Sequence, residues 1–395
     1  MSPVRRLRVL SLLDTLRPGG AERVAVTIAA RIDRERYEPM VCVSRGSACP
    51  PLADVLEAAD VPIVMLERQH RVAFWNWRRL LALLRRERID IVHAHMFGSN
   101  VWGTALGRAA GVPVVVAHEH SWSFERDRIR YALDRELIAR GADAFVAVSE
   151  QDRTRMVELE RIPARKIRVI RNGIPPLEPP RSDLRAELGL STRTPLVGTL
   201  TVLRPEKGLD VLVEAAARLV PRMPQLRVVI AGVGPDEARV RDAIRASSLE
   251  RNVLLIGFRT DVAAVLDALD VVVFSSDREG SPLAVIESMA AGKAIVATAV
   301  AGISELLLHE QHALLVPPRD SEALADAVAC LLRDRALAAD LGTRARERQR
   351  ARFDVDSTVQ AFEDLYEQLY AASPRGRREA AARAAADSSW ARGVT

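Results

Sequence analysis

The chain is 395 residues long, enough for two or three folding units. With 48% hydrophobic and 28% charged residues it has the make-up of a globular protein with sizeable cores, and no apolar run reaches the length of a membrane span. The formal net charge of +5 rests almost wholly on arginine, Lys166, Lys207 and Lys293 being the lysines, and aromatics are 4%, so the basic-plus-aromatic pattern of a nucleic-acid binder is missing.

Leu7–Leu13 is apolar but interrupted by Arg8 and closed by Asp14, so it reads as a first strand and not as a signal segment. Cys42, Cys49 and Cys330 form neither an even set nor a metal spacing. Both features place the chain in the cytoplasm. After that first strand, Arg17-Pro-Gly19-Gly20-Ala21-Glu22 opens a helix over Ala21–Arg31. The paired glycines suit either a close backbone approach to a ligand or a turn that needs positive φ. Further strands are predicted over Met40–Ser44, Val61–Leu66, Ile89–His93, Val114–His118, Ala144–Val148 and Ile167–Ile170, with helices over Ser99–Ala110 and Arg126–Arg140. This alternation predicts a parallel sheet covered on both faces.

Within that half, Trp75–Arg86 carries an apolar stripe (Trp77, Leu80, Leu81, Leu84) flanked by Arg78, Arg79, Arg85 and Arg86. The stripe fits a core-facing helix, and also a helix 75–86 lying on an anionic membrane. Four of the seven histidines form two His-x-His pairs at strand ends, His93/His95 and His118/His120. Neighbouring strands could bring them together as a metal site. With Glu119 the only carboxylate beside them, the stronger expectation is no metal, with one imidazole meeting the substrates.

Asn172-Gly-Ile-Pro-Pro-Leu-Glu-Pro-Pro180 holds four prolines and reads as a stiff connector. Beyond it the alternation restarts. Strands are predicted over Pro195–Leu200, Arg227–Ala231, Val253–Ile256, Val271–Phe274, Ala294–Ala297 and Ala313–Val316, with helices over Gly208–Val220, Glu237–Ser247 and Ser321–Arg333. Phe353–Tyr370 is a last amphipathic helix, and the Ala/Arg-rich tail from Ser373 is expected to be frayed or disordered. The expected fold class is α/β, with two doubly wound Rossmann-like domains facing each other across a ligand cleft.

Three junctions in the second half point to an anionic, hydroxyl-bearing ligand. Arg204-Pro-Glu-Lys207-Gly208 sets two cations and a glycine between a strand and a helix, where charge-assisted hydrogen bonds to phosphate are each worth about 1.5–3 kcal/mol. Gly232-x-Gly234 also follows a strand but lacks the third glycine of a dinucleotide fingerprint. Glu279-Gly280-Ser281-Pro282-Leu283 leads into a helix starting near Pro282, with Glu287 one to two turns in. Two carboxylates beside a helix N-terminus suit hydroxyls and phosphates together, although a carboxylate there also suits the helix dipole alone.

In order and spacing these motifs resemble the family 4 retaining glycosyltransferases of GT-B fold: Gly19-Gly20-Ala21-Glu22, His93-x-His95, Glu119-His120, Asn172-Gly173-Ile174, Arg204-x-x-Lys207-Gly208, Gly232-x-Gly234, Gly257-Phe258 and Glu279-x7-Glu287. The resemblance implies that Arg204 and Lys207 hold a donor diphosphate and that Glu287 accepts from ribose hydroxyls. It implies that Glu279 contacts the transferred sugar, with Gly280, Ser281, Pro282, Leu283, Gly232 and Phe258 lining the donor pocket. Gly19 and Gly20 would approach donor phosphate or acceptor, and His120 would stand near the sugar, with His118 and His95 as alternatives.

The implied activity is metal-independent transfer of a sugar from a nucleotide-diphosphate sugar to a hydroxyl of a glycan or lipid-linked acceptor, with retention and without a cofactor. Cell-envelope polysaccharide synthesis is the implied setting, in the cytoplasm or at the inner face of the plasma membrane. Two alternatives stand beside it: a metal-dependent hydrolase using the histidine pairs, and a nucleotide-sugar epimerase or binding protein. The implied domains are 1–171 for the acceptor, a linker over 172–180, 181–352 for the donor, a helix 353–372 packing back on the first domain, and the tail 373–395. Two departures from the family pattern are Ala301, where a glycine is usual before Gly302, and Ala294, where a proline is common.

Overall fold

A computed structural model describes residues 5–46, 50–68, 74–120 and 127–382. Cys49, Arg126 and the tail beyond residue 382 lie outside the described residues. The chain divides into two compact units, Met1–Arg171 with Asp356–Thr395, and Asn172–Val355.

The first unit is built on β1 (Leu7–Leu13), β2 (Tyr37–Val43), β3 (Ile63–Met65), β4 (Ile91–His95), β5 (Val114–Glu119), β6 (Ala144–Ala147) and β7 (Ile167–Val169). All neighbours are parallel and the order is β3-β2-β1-β4-β5-β6-β7. Helices on both faces bury the strands, and for that reason every residue of β4 and β5 is buried, His93, His95, His118 and Glu119 included. The order reverses between β1 and β4.

The second unit has β8 (Leu196–Leu200), β9 (Arg227–Ala231), β10 (Val253–Gly257), β11 (Val271–Phe274), β12 (Ala294–Thr298) and β13 (Leu314–Val316). They are again all parallel, in the order β10-β9-β8-β11-β12-β13, reversing between β8 and β11. Its core joins strand residues such as Val197, Ile230 and Val273 to Leu212, Leu219 and Val328 from the covering helices. Two such parallel sheets agree with the expected α/β class of two doubly wound domains.

Several local expectations need correction. β4 begins at Ile91 and runs through His95, not Ile89–His93. The cause is Asp90, whose buried carboxylate accepts from the Arg8 N–H and from Arg5, tying the turn before the strand. The helix expected to run unbroken to Arg140 starts at Arg128, widens into a π turn over Asp134–Ile138, and ends at Gly141. Pro282 is the residue before the helix Leu283–Ala290, with extended φ/ψ, not a first-turn residue.

The described part of the tail is helical over residues 374–382, not frayed. Its Arg375 reaches Asp90 at 3.2 Å, and its Glu379 accepts from the Tyr370 hydroxyl at 3.1 Å. In the helix Phe74–Arg86, Trp77, Leu80 and Leu84 are buried against Leu10, Leu12 and Val92. The stripe that a membrane would need is therefore core.

Candidate functional site

In an open parallel sheet, loops leaving the carboxyl ends of strands on either side of the order reversal part to form a crevice. In the second unit these loops follow β8 and β11. The β8 loop carries Arg204 and Lys207; the β11 loop carries Ser275, Ser276, Asp277 and Glu279. The two are fastened together at three points. Lys207 Nζ donates to both Glu279 carboxylate oxygens at 2.7 and 2.8 Å. The Ser275 hydroxyl donates to the Lys207 carbonyl at 3.0 Å, and the Asp277 N–H to the Glu206 carbonyl at 2.8 Å.

Gly208 closes the β8 turn at φ +58°, and a Cβ there would stand 2.1 Å from the Ser275 carbonyl oxygen. Only glycine permits both the left-handed turn and the contact. Behind Glu279, the Ser276 hydroxyl donates to Oε1 at 2.7 Å, and Thr298 at the end of β12 donates to the Ser276 carbonyl at 2.5 Å. The carboxylate is thus held from two sides, by an ammonium and a hydroxyl. Arg204, by contrast, is largely exposed, 3.8 Å from Glu206. A guanidinium at that position can swing to a ligand.

The helix Leu283–Ala290 starts without a side-chain cap on its first N–H groups. Those amides and Gly280, Ser281, Pro282 and Leu283 form the anion-facing turn at its N-terminus. The Ser281 hydroxyl is buried and without a hydrogen-bond partner, while the Ser281 carbonyl accepts from Asn172 at 3.2 Å. Glu287 sits in the second turn and is only 3% exposed. Gly232 directly follows β9, donating its N–H to the Gly257 carbonyl at 2.7 Å, and Phe258 after β10 is exposed. The structure therefore gathers Arg204, Lys207, Gly232, Glu279 and the 280–287 turn at one edge of one sheet; Phe258 follows β10, the outermost strand of that edge.

Sequence reasoning missed Ser275, Ser276 and Thr298, whose signal was a pair of serines directly after a buried apolar run. It also noted Ala301 as a departure without seeing what Gly302 beside it does. A Cβ at Gly302 would lie 2.2 Å from the Gly280 carbonyl oxygen and 2.4 Å from that of Glu279. Ala301, the half-buried first residue of the helix Ala301–Leu306, needs no such approach, so its departure from the family pattern leaves the Glu279 loop in place.

In the first unit, Gly19 precedes the helix Gly20–Arg31 in the loop after β1, in an ordinary extended conformation (φ −140°). Positive φ is thus not what Gly19 supplies. The four histidines form a two-by-two array, for β4 and β5 pair with His95 opposite His118. His93 Nε2 meets His118 Nδ1 at 3.2 Å, His95 Nδ1 meets His120 Nε2 at 3.0 Å, and the rings of His118 and His120 stack with centroids 3.8 Å apart. Burial, reinforced by the neighbouring imidazoles, holds His95 and His118 well below the usual imidazole value, and holds His93 and His120 down at about 3. All four are neutral at pH 7. His120 is the outermost of them.

His93, His95 and His118 each bring a ring nitrogen within 4.8 Å of the others. That spacing could admit an ion, but both His93 nitrogens are already engaged, by Tyr366 at 2.6 Å and by His118. A tri-histidine centre would have to break one of those bonds.

Residues 180–348 match the glycosyl transferases group 1 family, and residues 18–176 match glycosyltransferase family 4. The chain is 25% identical over 363 residues to a UDP-Gal:alpha-D-GlcNAc-diphosphoundecaprenol alpha-1,3-galactosyltransferase of Escherichia coli, covering 88% of this chain and 93% of that one. It is 32% identical over 246 residues to an exopolysaccharide phosphotransferase of Streptomyces coelicolor, of whose length the match spans only 25% and 62% of this chain. Among solved structures, Anabaena HepE in complex with UDP-glucose superposes with a TM-score of 0.82 at 24% identity, over 92% of this chain and all of that one. These matches favour glycosyl transfer over the hydrolase and epimerase alternatives. With both halves matched in turn and the fold in agreement, the chain belongs to the group 1 glycosyltransferases of GT-B fold.

Proposed function

We propose that this glycosyltransferase moves a sugar from a nucleotide-diphosphate sugar, held by the second unit, to a hydroxyl of a lipid-linked or polysaccharide acceptor received by the first. Configuration is retained, and neither metal nor cofactor takes part. The observation that carries the reading is the Lys207–Glu279 pair, set between the two loops that flank the strand-order reversal. The E. coli relative bears a UDP-sugar and a diphospholipid acceptor in its name, which supports the substrate classes.

In this reading Lys207 and Arg204 neutralise the diphosphate as negative charge grows on the leaving group. The lysine is already localised by Glu279, whose carboxylate Ser276 holds in turn, so little ordering remains when the diphosphate arrives. Glu279 turns its second face to the sugar, and Glu287, one to two turns along the helix, accepts from the ribose hydroxyls. The neutral His120 offers the sugar a hydrogen bond and carries no charge.

The test is nucleotide release by the purified chain from a panel of UDP-, GDP- and ADP-sugars, with and without a polyprenyl-diphosphate glycan and in excess chelator. Acceptor-dependent release that survives the chelator is expected. Release abolished by the chelator and restored by magnesium would remove the metal-independent mechanism. Release indifferent to any acceptor would remove transfer.

A further inference from the structure

Of the non-glycine residues of the second unit, Ser248, Glu310 and Arg319 have positive φ. Ser248 follows the C-terminus of the helix Glu237–Ala246, where a left-handed residue is routine, and Glu310 sits in an exposed turn before β13. Arg319, at φ +63°, stands instead in the loop after β13, one residue before Asp320, the N-cap of the helix Ser321–Arg333. There two carboxylates share its guanidinium: Nη1 donates to Asp210 Oδ2 at 2.8 Å, and Nη2 donates to Asp277 Oδ2. Asp210 lies in the first turn of the helix Leu209–Leu219, three residues after Lys207. Asp277 lies in the β11 loop, two residues before Glu279. One guanidinium thus spans both loops that carry the Lys207–Glu279 pair.

Stability does not account for this arrangement. The Arg319 side chain is half exposed, and ion pairs open to water contribute little. Left-handed backbone costs a residue with a Cβ at least as much, whereas glycine adopts it freely. Glycine at 319 would therefore serve the fold as well, and the strained arginine beside the crevice points to a role there. Without Arg319 the Asp210 and Asp277 carboxylates would face each other unneutralised, and like charges would push their loops apart. The Oδ1 atom of each is buried with no hydrogen-bond partner, so neither has a second donor at hand. Only Asp210 has a reserve cation, Arg239 at 3.7 Å, and that one is held by Asp236 at 3.0 Å. We infer that Arg319 is a positioning residue of the donor site: bridging Asp210 and Asp277, it keeps Lys207 and Glu279 at the spacing that receives a diphosphate. This deepens the proposed transfer reaction and rests on it for the ligand.

The experiment compares the full-length wild type with Arg319→Gly and with the double variant Arg319→Gly/Asp277→Asn. Glycine relieves the backbone, so Tm should hold or rise, while kcat/KM for the preferred nucleotide sugar should fall about tenfold. Asp277→Asn removes one of the two repelling charges, and the double variant should recover to within about threefold of wild type. Wild-type kinetics in Arg319→Gly overturn the inference. So does a fall in kcat/KM that comes with a lowered Tm, or one that Asp277→Asn does not relieve, since a merely structural role would give either. A second arm needs no turnover: hydrogen exchange at the Asp277 amide, which donates to the Glu206 carbonyl, should speed up about tenfold in Arg319→Gly. Unchanged exchange overturns the brace. If the wild-type chain turns over no nucleotide sugar, the functional reading fails while this arm still decides whether Arg319 holds the loops.

Discussion

At the carboxyl edge of the second sheet the candidate side chains are ionic and stand in loops; at that of the first they are neutral imidazoles rooted in strands. Lys207 and Glu279 pair at 2.7 Å in a partly wet crevice, and Arg204 beside them is free to reach solvent. His93, His95, His118 and His120 sit where desolvation forbids charge, so direction is their contribution. In the proposed reaction the contrast becomes a division of labour: one edge would stabilise charge that develops on a leaving diphosphate, and the other would orient uncharged hydroxyls. Within the array both nitrogens of His93 are engaged, while His95 Nε2, His118 Nε2 and His120 Nδ1 are buried without a partner.

The sharpest way to break this comparison is at the ionic edge. Lys207→Ala should lower kcat/KM by about 10²–10³-fold, the usual loss when one preorganised charge donor is removed. Glu287→Gln should cost less, about tenfold and mainly in donor KM, because it removes charge-assisted hydrogen bonds present in ground and transition states alike. Steady-state kinetics on the preferred donor measure both. A Lys207→Ala enzyme with wild-type kinetics would show that the ionic edge is not where the diphosphate leaves.

The contrast between the edges was itself partly legible in the sequence. Scarce lysine made Lys207 stand out, and the apolar run Val271–Phe274 located the strand that leads to the Glu279 loop. Strands buried on both faces announced themselves because hydrophobicity is local, and each strand among the described residues overlaps an apolar run, though bounds such as those of β2 and β4 differ. What could not be read was anything dependent on distant partners. Asp90 shifts the start of β4 because Arg5 and the Arg8 N–H reach it from another strand. Gly302 matters because the Glu279 loop crosses it, and Tyr366 matters because a helix 273 residues further along the chain covers His93. No spacing rule contains those contacts.

Asp134 offers a way to sharpen the comparison within the first unit, where a carboxyl is treated as the imidazoles are. It lies in the π turn with both carboxylate oxygens lacking a hydrogen-bond partner. Burial first, then the nearby Glu160, raise it to about 8 against the pull of Arg130, with Glu119 adding a smaller push. The folded state therefore binds a proton that the unfolded chain has released above about pH 4, and stability from this group falls as pH rises from about 4 to 8. Asp134→Asn cannot ionise. Relative to it, wild type should lose about 4 kcal/mol of stability between pH 5 and pH 9, read from denaturant or thermal melts. Parallel pH profiles for the two proteins would mean that Asp134 is ionised throughout.

The smallest effect expected is at the helix Phe74–Arg86, and it decides whether any part of the first unit meets a membrane. With Trp77, Leu80 and Leu84 committed to the core, only electrostatics and the exposed Trp75 remain outside. Arg79 and Arg86 already face Glu67 and Glu87 at 3.2 and 2.8 Å. Arg78 lies over the Trp75 ring, and Arg85 donates to the Ala109 carbonyl, so these two retain their charge for a partner. Each cation near an anionic surface contributes about 1 kcal/mol at most. Replacing both Arg78 and Arg85 by Gln should weaken binding to phosphatidylserine vesicles by about tenfold, an effect that disappears in high salt. Neutral vesicles should not bind in either case. Tight, salt-insensitive binding to neutral vesicles would require the buried stripe to leave the core, and that would overturn the assignment of this helix to the sheet.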